Sequence, residues 1–356
     1  MRVLVTGGAG FLGSHLALAL RASSLAADVV CLDNLRRRGA ELNIPRLTAH
    51  GVTFAHGDVR CRSDIEDLRG IFDVVIDASA DPCVTAGIAE SPSYVLETNL
   101  LGTTHILEFA RRRAAAFVLL STSRVYSIAH LRRLPLVETE TRYQLRSPRE
   151  HQLCGVGDEG IAESFPTEAP ISFYGATKLA SELLAQEYAA AYGLHVIVNR
   201  CGVVAGPGQF GKAEQGVFSL WVAHHLFGLP LQYTGFGGRG LQVRDLLHPD
   251  DLSDLLQKQL VALPAHNAHV FNVGGGLQGA VSLREWTMLC REATDSEVEI
   301  GAVPEASSVD IPFFVADARK ARKAFDWTPT RRPREIALGI ARWLKENRMQ
   351  LEPLFR

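Results

Sequence analysis

Tyr174 and Lys178 stand four residues apart in a stretch, Phe173 to Ala191, with a helical pattern, so both side chains fall on one face. An ammonium beside a phenol stabilises the phenolate and lowers a pKa that is otherwise about 10. A phenol tuned in this way can take the proton of a sugar hydroxyl while hydrogen leaves the carbon that bears it. Thr122 ends an apolar run, Phe117 to Leu120, and is placed to hydrogen-bond the same oxygen. Tyr and Lys at this spacing also arise on ordinary helix surfaces. Their meaning depends on what else the chain places beside them.

The first 33 residues supply the context. An apolar run, Val3 to Val5, leads into Gly7-x-x-Gly10-x-x-Gly13, then a helical pattern, then a second apolar run, Val29 to Leu32, closed by Asp33. In a strand–turn–helix unit the first glycine allows the tight turn. The second admits a pyrophosphate, and the third lets helix and strand pack closely. The phosphates then meet unpaired N–H groups at a helix N-terminus, and an acid after the second strand accepts from an adenosine ribose. The alternative is an ordinary turn, which glycines also mark. Asp33 favours NAD over NADP because a carboxylate repels a 2′-phosphate, although Arg36, Arg37 and Arg38 lie close enough to offset it. The positive nicotinamide of the oxidised cofactor would favour phenolate further.

Alternating strands and helices must position these groups. Strands are expected at 52–55, 72–76, 117–120 and 194–199, with a long helix from Ser93 to Arg111 carrying Asn99. This rhythm implies an α/β fold: a Rossmann-type, doubly wound parallel sheet whose ligands lie beyond the carboxyl ends of its strands. Residues 127–170 are charged, proline-rich and long for a loop, as expected of a functional excursion near the site. After Arg200 the texture changes, and a smaller, interleaved C-terminal α/β substrate domain is expected. The expected division is 1–199 and 234–262 for the NAD-binding domain, against 200–233 and 263–356. Asp58-Val59 reads equally as an adenine-flanking pair or as a helix-capping turn. His224 and His225 read as helix packing residues. Arg244 is the choice for a diphosphate, which a guanidinium binds bidentately; the alternative is a salt bridge to Asp245 or Asp250.

Composition narrows the class. The 356 residues are 47% hydrophobic with a net charge of −2, which describes a globular enzyme and gives no reason to expect nucleic acid or an anionic membrane as partner. No apolar run is long enough to span a bilayer. Six scattered cysteines without a Cys-x-x-Cys pair fit reduced thiols and no metal, and hence a cytoplasmic setting.

The motifs Gly7-x-x-Gly10-x-x-Gly13, Asp58-Val59, Asn99, Thr122, Tyr174-x-x-x-Lys178, Arg200 and Arg244-Asp245 together resemble the extended short-chain dehydrogenase/reductase superfamily over essentially the whole chain. Within it, the runs Asp33-Asn34-Leu35, His56 to Arg60, Glu138 to Tyr143, Gln209-Phe210, Gln215-Gly216, Gln242 to Asp245 and Val315 to Asp317 are similar to those of CDP-paratose 2-epimerases (tyvelose epimerases). The resemblance implies tightly bound NAD, a nucleotide-sugar substrate, and a homodimer or homotetramer. It implies Thr122, Tyr174 and Lys178 as catalytic residues. It extends the cofactor set to Phe11, Leu12, Asn34, Arg36, Asp58, Val59, Ala78, Ser79 and Asn99, with Tyr174 and Lys178. For the substrate it points to Thr122, Arg124, Gln209, Gln215 and Arg244. Sugar 4,6-dehydratases of this superfamily follow the threonine with Asp-Glu, whereas this chain reads Ser123-Arg124, which favours epimerisation. A 4-epimerase would use the same three catalytic residues, and a silent dinucleotide-binding protein would need none of them. Three departures stand out, one being a stretch from Ser147 to Glu163 that is more charged than the family pattern. Asp77-Ala78-Ser79 replaces a His-Leu-Ala-like run, and Ser307 to Pro312 lacks both arginines of an Arg-x-x-Asp-Gln-Arg pattern.

Overall fold

A computed structural model describes residues 1–23, 25–88, 90–147, 153–211 and 216–355. Five strands open the chain: β1 (Arg2–Thr6), β2 (Asp28–Asp33), β3 (Thr53–His56), β4 (Phe72–Asp77) and β5 (Ala114–Thr122). With His195–Cys201 and His269–Val273 they form one parallel sheet in the order His269–Val273, His195–Cys201, β5, β4, β1, β2, β3. The Rossmann-type doubly wound sheet expected from the sequence is present. Apart from the edge strand β3, its strands are largely buried on both faces, which is why they read as continuous apolar runs and not as alternations. Helix α1 (Phe11–Ala22) buries Leu16 and Leu20 against one face. Each such aliphatic side chain contributes roughly 1.5–3 kcal/mol.

The order reverses at β1, since β2 lies on one side of it and β4 on the other. The connections after these two strands leave in opposite directions and open a crevice at their carboxyl ends. Gly7 sits there with φ +63°, and a Cβ on it would lie 2.8 Å from the carbonyl oxygen of Ala78. At Gly13 a Cβ would lie 2.1 Å from the Gly7 carbonyl oxygen, so only hydrogen fits between helix and turn.

The helix expected from Ser93 to Arg111 is not continuous. An α-turn at Ser93–Val95 passes into a π-helical segment, Leu96–Leu101, before the α-helix Gly102–Arg113. A π-turn displaces carbonyls from their usual partners, and here the Asn99 carbonyl accepts from the Ser181 hydroxyl of the neighbouring helix Ser172–Tyr192 at 3.0 Å.

The second body carries a four-stranded sheet of Val203–Val204, Val243–Leu247, Ala280–Ser282 and Phe313–Phe314. Strand by strand the division differs from the expected one. Val243–Leu247 pairs in this smaller sheet, and His269–Val273 closes the large one, while the helix Pro249–Ala262 packs on α1. Short apolar runs state that they are strands but not which sheet will pair with them. The 127–170 excursion forms two small hairpins, Leu136–Glu138 with Tyr143–Leu145 and Val156–Gly157 with Gly160–Ile161. Its described residues dock on both bodies, through the Arg142–Glu285 ion pair and the Ser282 hydroxyl donating to the Thr141 carbonyl at 2.6 Å on the second, and through Asn272 N donating to Glu163 at 2.8 Å on the large sheet. None of them lines the central cavity, so its charge serves this docking. Among the described residues no helix is long and apolar enough to cross a membrane.

Candidate active site

A cavity of about 1280 Å³ runs from the carboxyl ends of β1, β2 and β4 to the second body. Its near end is the glycine turn. Gly10 caps α1, no side chain caps the helix, and no acidic residue stands in its first turn. The N–H groups there therefore open onto the cavity with a favourable dipole for phosphate. Asp33 at the end of β2 also lines the cavity, accepting from Ala9 N at 3.1 Å and Leu35 N at 2.8 Å. Burial raises its pKa while these N–H groups oppose the rise. An uncapped helix end, glycines that admit no Cβ, and a strand-end acid together fit a dinucleotide.

The remaining cofactor candidates divide in two. Phe11, Leu12, Asn34, Arg36, Val59, Ala78 and Ser79 line the cavity. Asp58 and Asn99 do not. Asp58 stands behind Asn34, whose amide donates to it at 2.9 Å, and pairs with Arg60 at 2.7 Å. Against the upward pull of its burial, the bonds from Arg60 and Asn34 hold it at about 2. Asn99 is fully buried, accepting from Asp81 N at 2.7 Å and donating to the Asp81 carbonyl at 3.0 Å. Both therefore position cavity-lining residues. Of the three arginines after Asp33, Arg36 lies over the Tyr94 ring at 4.1 Å. Arg37 and Arg38 instead donate to the carbonyls of Phe210 and Pro353.

The reacting end brings Thr122, Tyr174 and Lys178 together at the cavity wall, from β5 and the helix Ser172–Tyr192. The expected depression of the phenol is not what its surroundings produce. Burial pushes Tyr174 up to about 12, against the hydrogen bond of Thr122 and the charge of Arg124. Lys178 is buried as well, which lowers its pKa against the opposing charge of Asp77. Its Nζ donates to the Ser79 carbonyl at 3.5 Å, and Ser79 is held by its own N–H and hydroxyl donating to Asp77 at 3.1 and 2.6 Å. Asp77 thus sits behind the cavity wall, in the run that departs from the family pattern.

The far end belongs to the second body. Arg244 lines it, but neither Asp245 nor Asp250 is its partner; Nη2 donates to Asp310 Oδ1 at 3.1 Å and the Ile311 carbonyl at 2.7 Å. Burial brings Arg244 down to about 10 against the charge of Asp310. Arg124 also lines the cavity, and its Nη1 donates to the Val309 carbonyl at 3.0 Å. Gln209 is at the wall, yet its amide is engaged by the Val204 carbonyl and the Ser219 hydroxyl. Gln215 lies outside the described residues. Of the two histidines, His225 is buried and His224 reaches the wall, each bonded to a backbone carbonyl.

The sequence reading missed Asp81 and Asp310, both at the wall. Asp81 follows the end of β4, and that position was the available signal, since ligands gather beyond parallel strand ends. Asp310 had no such signal, because its segment is irregular.

Residues 3–274 match the NAD dependent epimerase/dehydratase family. The chain is 32% identical to CDP-paratose 2-epimerase of Salmonella typhi, over 92% of this chain and 95% of that protein. It is 34% identical to dTDP-glucose 4,6-dehydratase of Streptomyces antibioticus, over 99% and 95%. In three dimensions it is similar to the UDP-glucose 4-epimerase of Thermus thermophilus in complex with NAD, with a TM-score of 0.75, 28% identity, and coverage of 97% of this chain and 99% of that one. A glycine turn, a strand-end acid and a Thr–Tyr–Lys wall on this sheet go with that kinship: the chain belongs to the NAD-dependent epimerase/dehydratase family of nucleotide-sugar enzymes, in the extended short-chain dehydrogenase/reductase superfamily.

Proposed function

We propose that the protein epimerises a nucleotide-diphosphate sugar, at C2 of a CDP-3,6-dideoxyhexose, as in the conversion of CDP-paratose to CDP-tyvelose. The observation that carries epimerisation is Ser123-Arg124 beside the Thr122, Tyr174 and Lys178 wall, where dehydratases of the superfamily carry an acid pair. The CDP-paratose 2-epimerase of Salmonella typhi supports the choice of carbon and nucleotide.

Glycines 7, 10 and 13 and Asp33 would hold NAD, which when bound supplies a reversible two-electron acceptor for a carbinol. Tyr174 takes the hydroxyl proton as the ring carbon becomes a ketone and gives it back after the ketone has turned its other face. Thr122 fixes the oxygen by a hydrogen bond. Lys178, pinned through Ser79 to Asp77, brings a positive charge to this wall and opposes reprotonation of the phenol. Net redox change is zero, and no water is lost.

A second reading, elimination of water, draws on Asp81, a carboxylate at the wall whose charge is felt by Tyr174. One experiment separates the two. The purified protein is assayed for bound NAD(H), then incubated with CDP-, UDP-, GDP- and dTDP-sugars in deuterated water and followed by NMR. A new epimer of a CDP-sugar, without net reduced cofactor and without solvent deuterium, is the expected result. Deuterium in the carbon skeleton with loss of water would replace it with dehydration. Tyr174→Phe is expected to lower turnover at least ~10²-fold, the usual range for a positioned base, while retaining bound cofactor.

A further inference from the structure

Arg124 has more donors than the protein uses. A guanidinium carries five N–H groups, and the structure gives this one a single hydrogen bond, to the Val309 carbonyl. Its Nε and Nη2 have no partner among the described residues, although the side chain is only partly exposed and lines the cavity. A largely desolvated cation whose one hydrogen bond goes to a neutral carbonyl, with Asp310 acting on it only through its charge, is an expensive arrangement; an oxyanion taken in the fork of the guanidinium completes it. Arg244 faces the same space, with Asp310 already paired to it. Asp310 is the one carboxylate hydrogen-bonded to either guanidinium among the described residues, so two cations share one anion here. The cofactor pyrophosphate has its own cradle at the N-terminus of α1 and needs neither arginine.

The backbone of Arg124 is fixed at the reacting end. Its N–H donates to Thr122 Oγ1 at 3.2 Å. Its carbonyl lies against the start of the Tyr174 helix so closely that a Cβ on Gly175 would come within 2.3 Å of the oxygen. The residue therefore touches both sides of the catalytic wall while its head lies toward the loop that holds Arg244.

We propose that Arg124 is a second anchor for the substrate diphosphate, gripping the phosphate next to the sugar while Arg244 grips the one next to the nucleoside, and that this anchor selects C2. The inference rests on the epimerase reading and deepens it. C2 is bonded to the anomeric carbon that bears the diphosphate, whereas C4 lies across the ring. A phosphate held by a residue that adjoins both Thr122 and Tyr174 brings the C2 carbinol to the phenol. For C4 to arrive there, the anomeric end must point away, beyond the reach of Arg124. The competing role, a tie that fastens the 307–312 segment through Val309, would affect stability and every ligand alike.

The test compares nucleoside mono- and diphosphates on the protein as purified, by calorimetry. Wild type is expected to bind CDP more tightly than CMP. Arg124→Gln is expected to weaken CDP about tenfold or more and to leave CMP within twofold, and Arg244→Gln to weaken both. Arg124→Lys, which keeps the charge but not the fork, should fall between, and it serves as the probe if the glutamine variant does not fold. Equal loss for CMP and CDP, or no loss for either, overturns the anchor. The UMP/UDP, GMP/GDP and dTMP/dTDP pairs run in parallel: if another pair binds in place of cytidine, the same ratio decides the anchor and only the cytidine reading falls. If no pair binds, the nucleotide-sugar reading falls and takes the anchor with it. On wild type, a primary isotope effect from substrate deuterated at C2 and none from C4 is expected; the reverse overturns the choice of carbon.

Discussion

At the residue scale, the reacting groups show how far a spacing argument reaches. Tyr174, Lys178 and Thr122 were legible because each type is tied to an element end or a helix face, and the fold brings them to one wall. The charge state of the phenol was not legible, since it depends on burial that only tertiary packing creates. With desolvation pushing Tyr174 up to about 12 and Arg124 pulling it back, turnover should climb with pH along a limb that belongs to this phenol. Removing a positive neighbour weakens the opposition to burial, leaving the Thr122 hydrogen bond, so Arg124→Gln should move that limb to higher pH and Arg124→Lys should return it. A pH–rate profile at saturating substrate reads this directly, and an unmoved limb would show that Arg124 acts only on binding. Asp77 was visible as a departure from family pattern, but its role emerges only through Ser79 and Lys178.

At the element scale, the strands were legible because buried parallel strands are continuous apolar runs. The π-turn at Leu96–Leu101 was not, because apolar spacing there still suits an ordinary helix. Its Asn99 carbonyl accepts from the Ser181 hydroxyl, which also faces the Thr177 carbonyl. Ser181→Ala removes a buried hydrogen bond between the two helices, at about 1–3 kcal/mol. For a chain of this size each kcal/mol corresponds to only about 1.3 °C in Tm. A drop of about 1–4 °C is expected in a thermal melt, with cofactor retained. A Tm unchanged within 1 °C, on the order of the measurement error, would mean that the π-turn does not need this bond. The excursion was legible as unusual and misread as near the site, because charge and proline mark a departure from regular structure without saying what it docks on.

At the scale of the whole molecule, the large sheet and the smaller sheet exchange the chain repeatedly. Asp245 lies at their junction, fully buried, with Oδ2 accepting from Gly276 N at 3.1 Å and Oδ1 without a partner. Burial raises it to about 7, against about 3.9 for an aspartate in an unfolded chain. The native state therefore keeps a proton that the unfolded chain releases. The stability this group contributes is fully present below about pH 4 and is lost as pH rises through about 7. Asp245→Asn, which cannot ionise, should raise Tm relative to wild type more at pH 8 than at pH 5; equal differences at the two pH values would contradict the raised value. The exchange also bears on truncation. A chain ended at Ala262 keeps six strands of the large sheet but loses His269–Val273, so His195–Cys201 becomes an open edge. Such edges pair with other chains, and this fragment is expected to be insoluble or aggregated in size-exclusion chromatography, whereas the full chain elutes as a discrete species.

That late-arriving edge strand also sets a schedule for biosynthesis. β1 lies in the interior of the sheet yet is made before its other strands, and the strand that completes the sheet comes just past three-quarters of the way along this sequence. At ribosomal rates of about 5–20 residues per second, tens of seconds separate the two. During that interval the nascent sheet has an unfilled side, and the cofactor cradle stands ready before the far wall of its cavity exists. Chaperone occupancy on ribosome-bound chains should therefore persist until residue 273 has left the exit tunnel and fall soon afterwards.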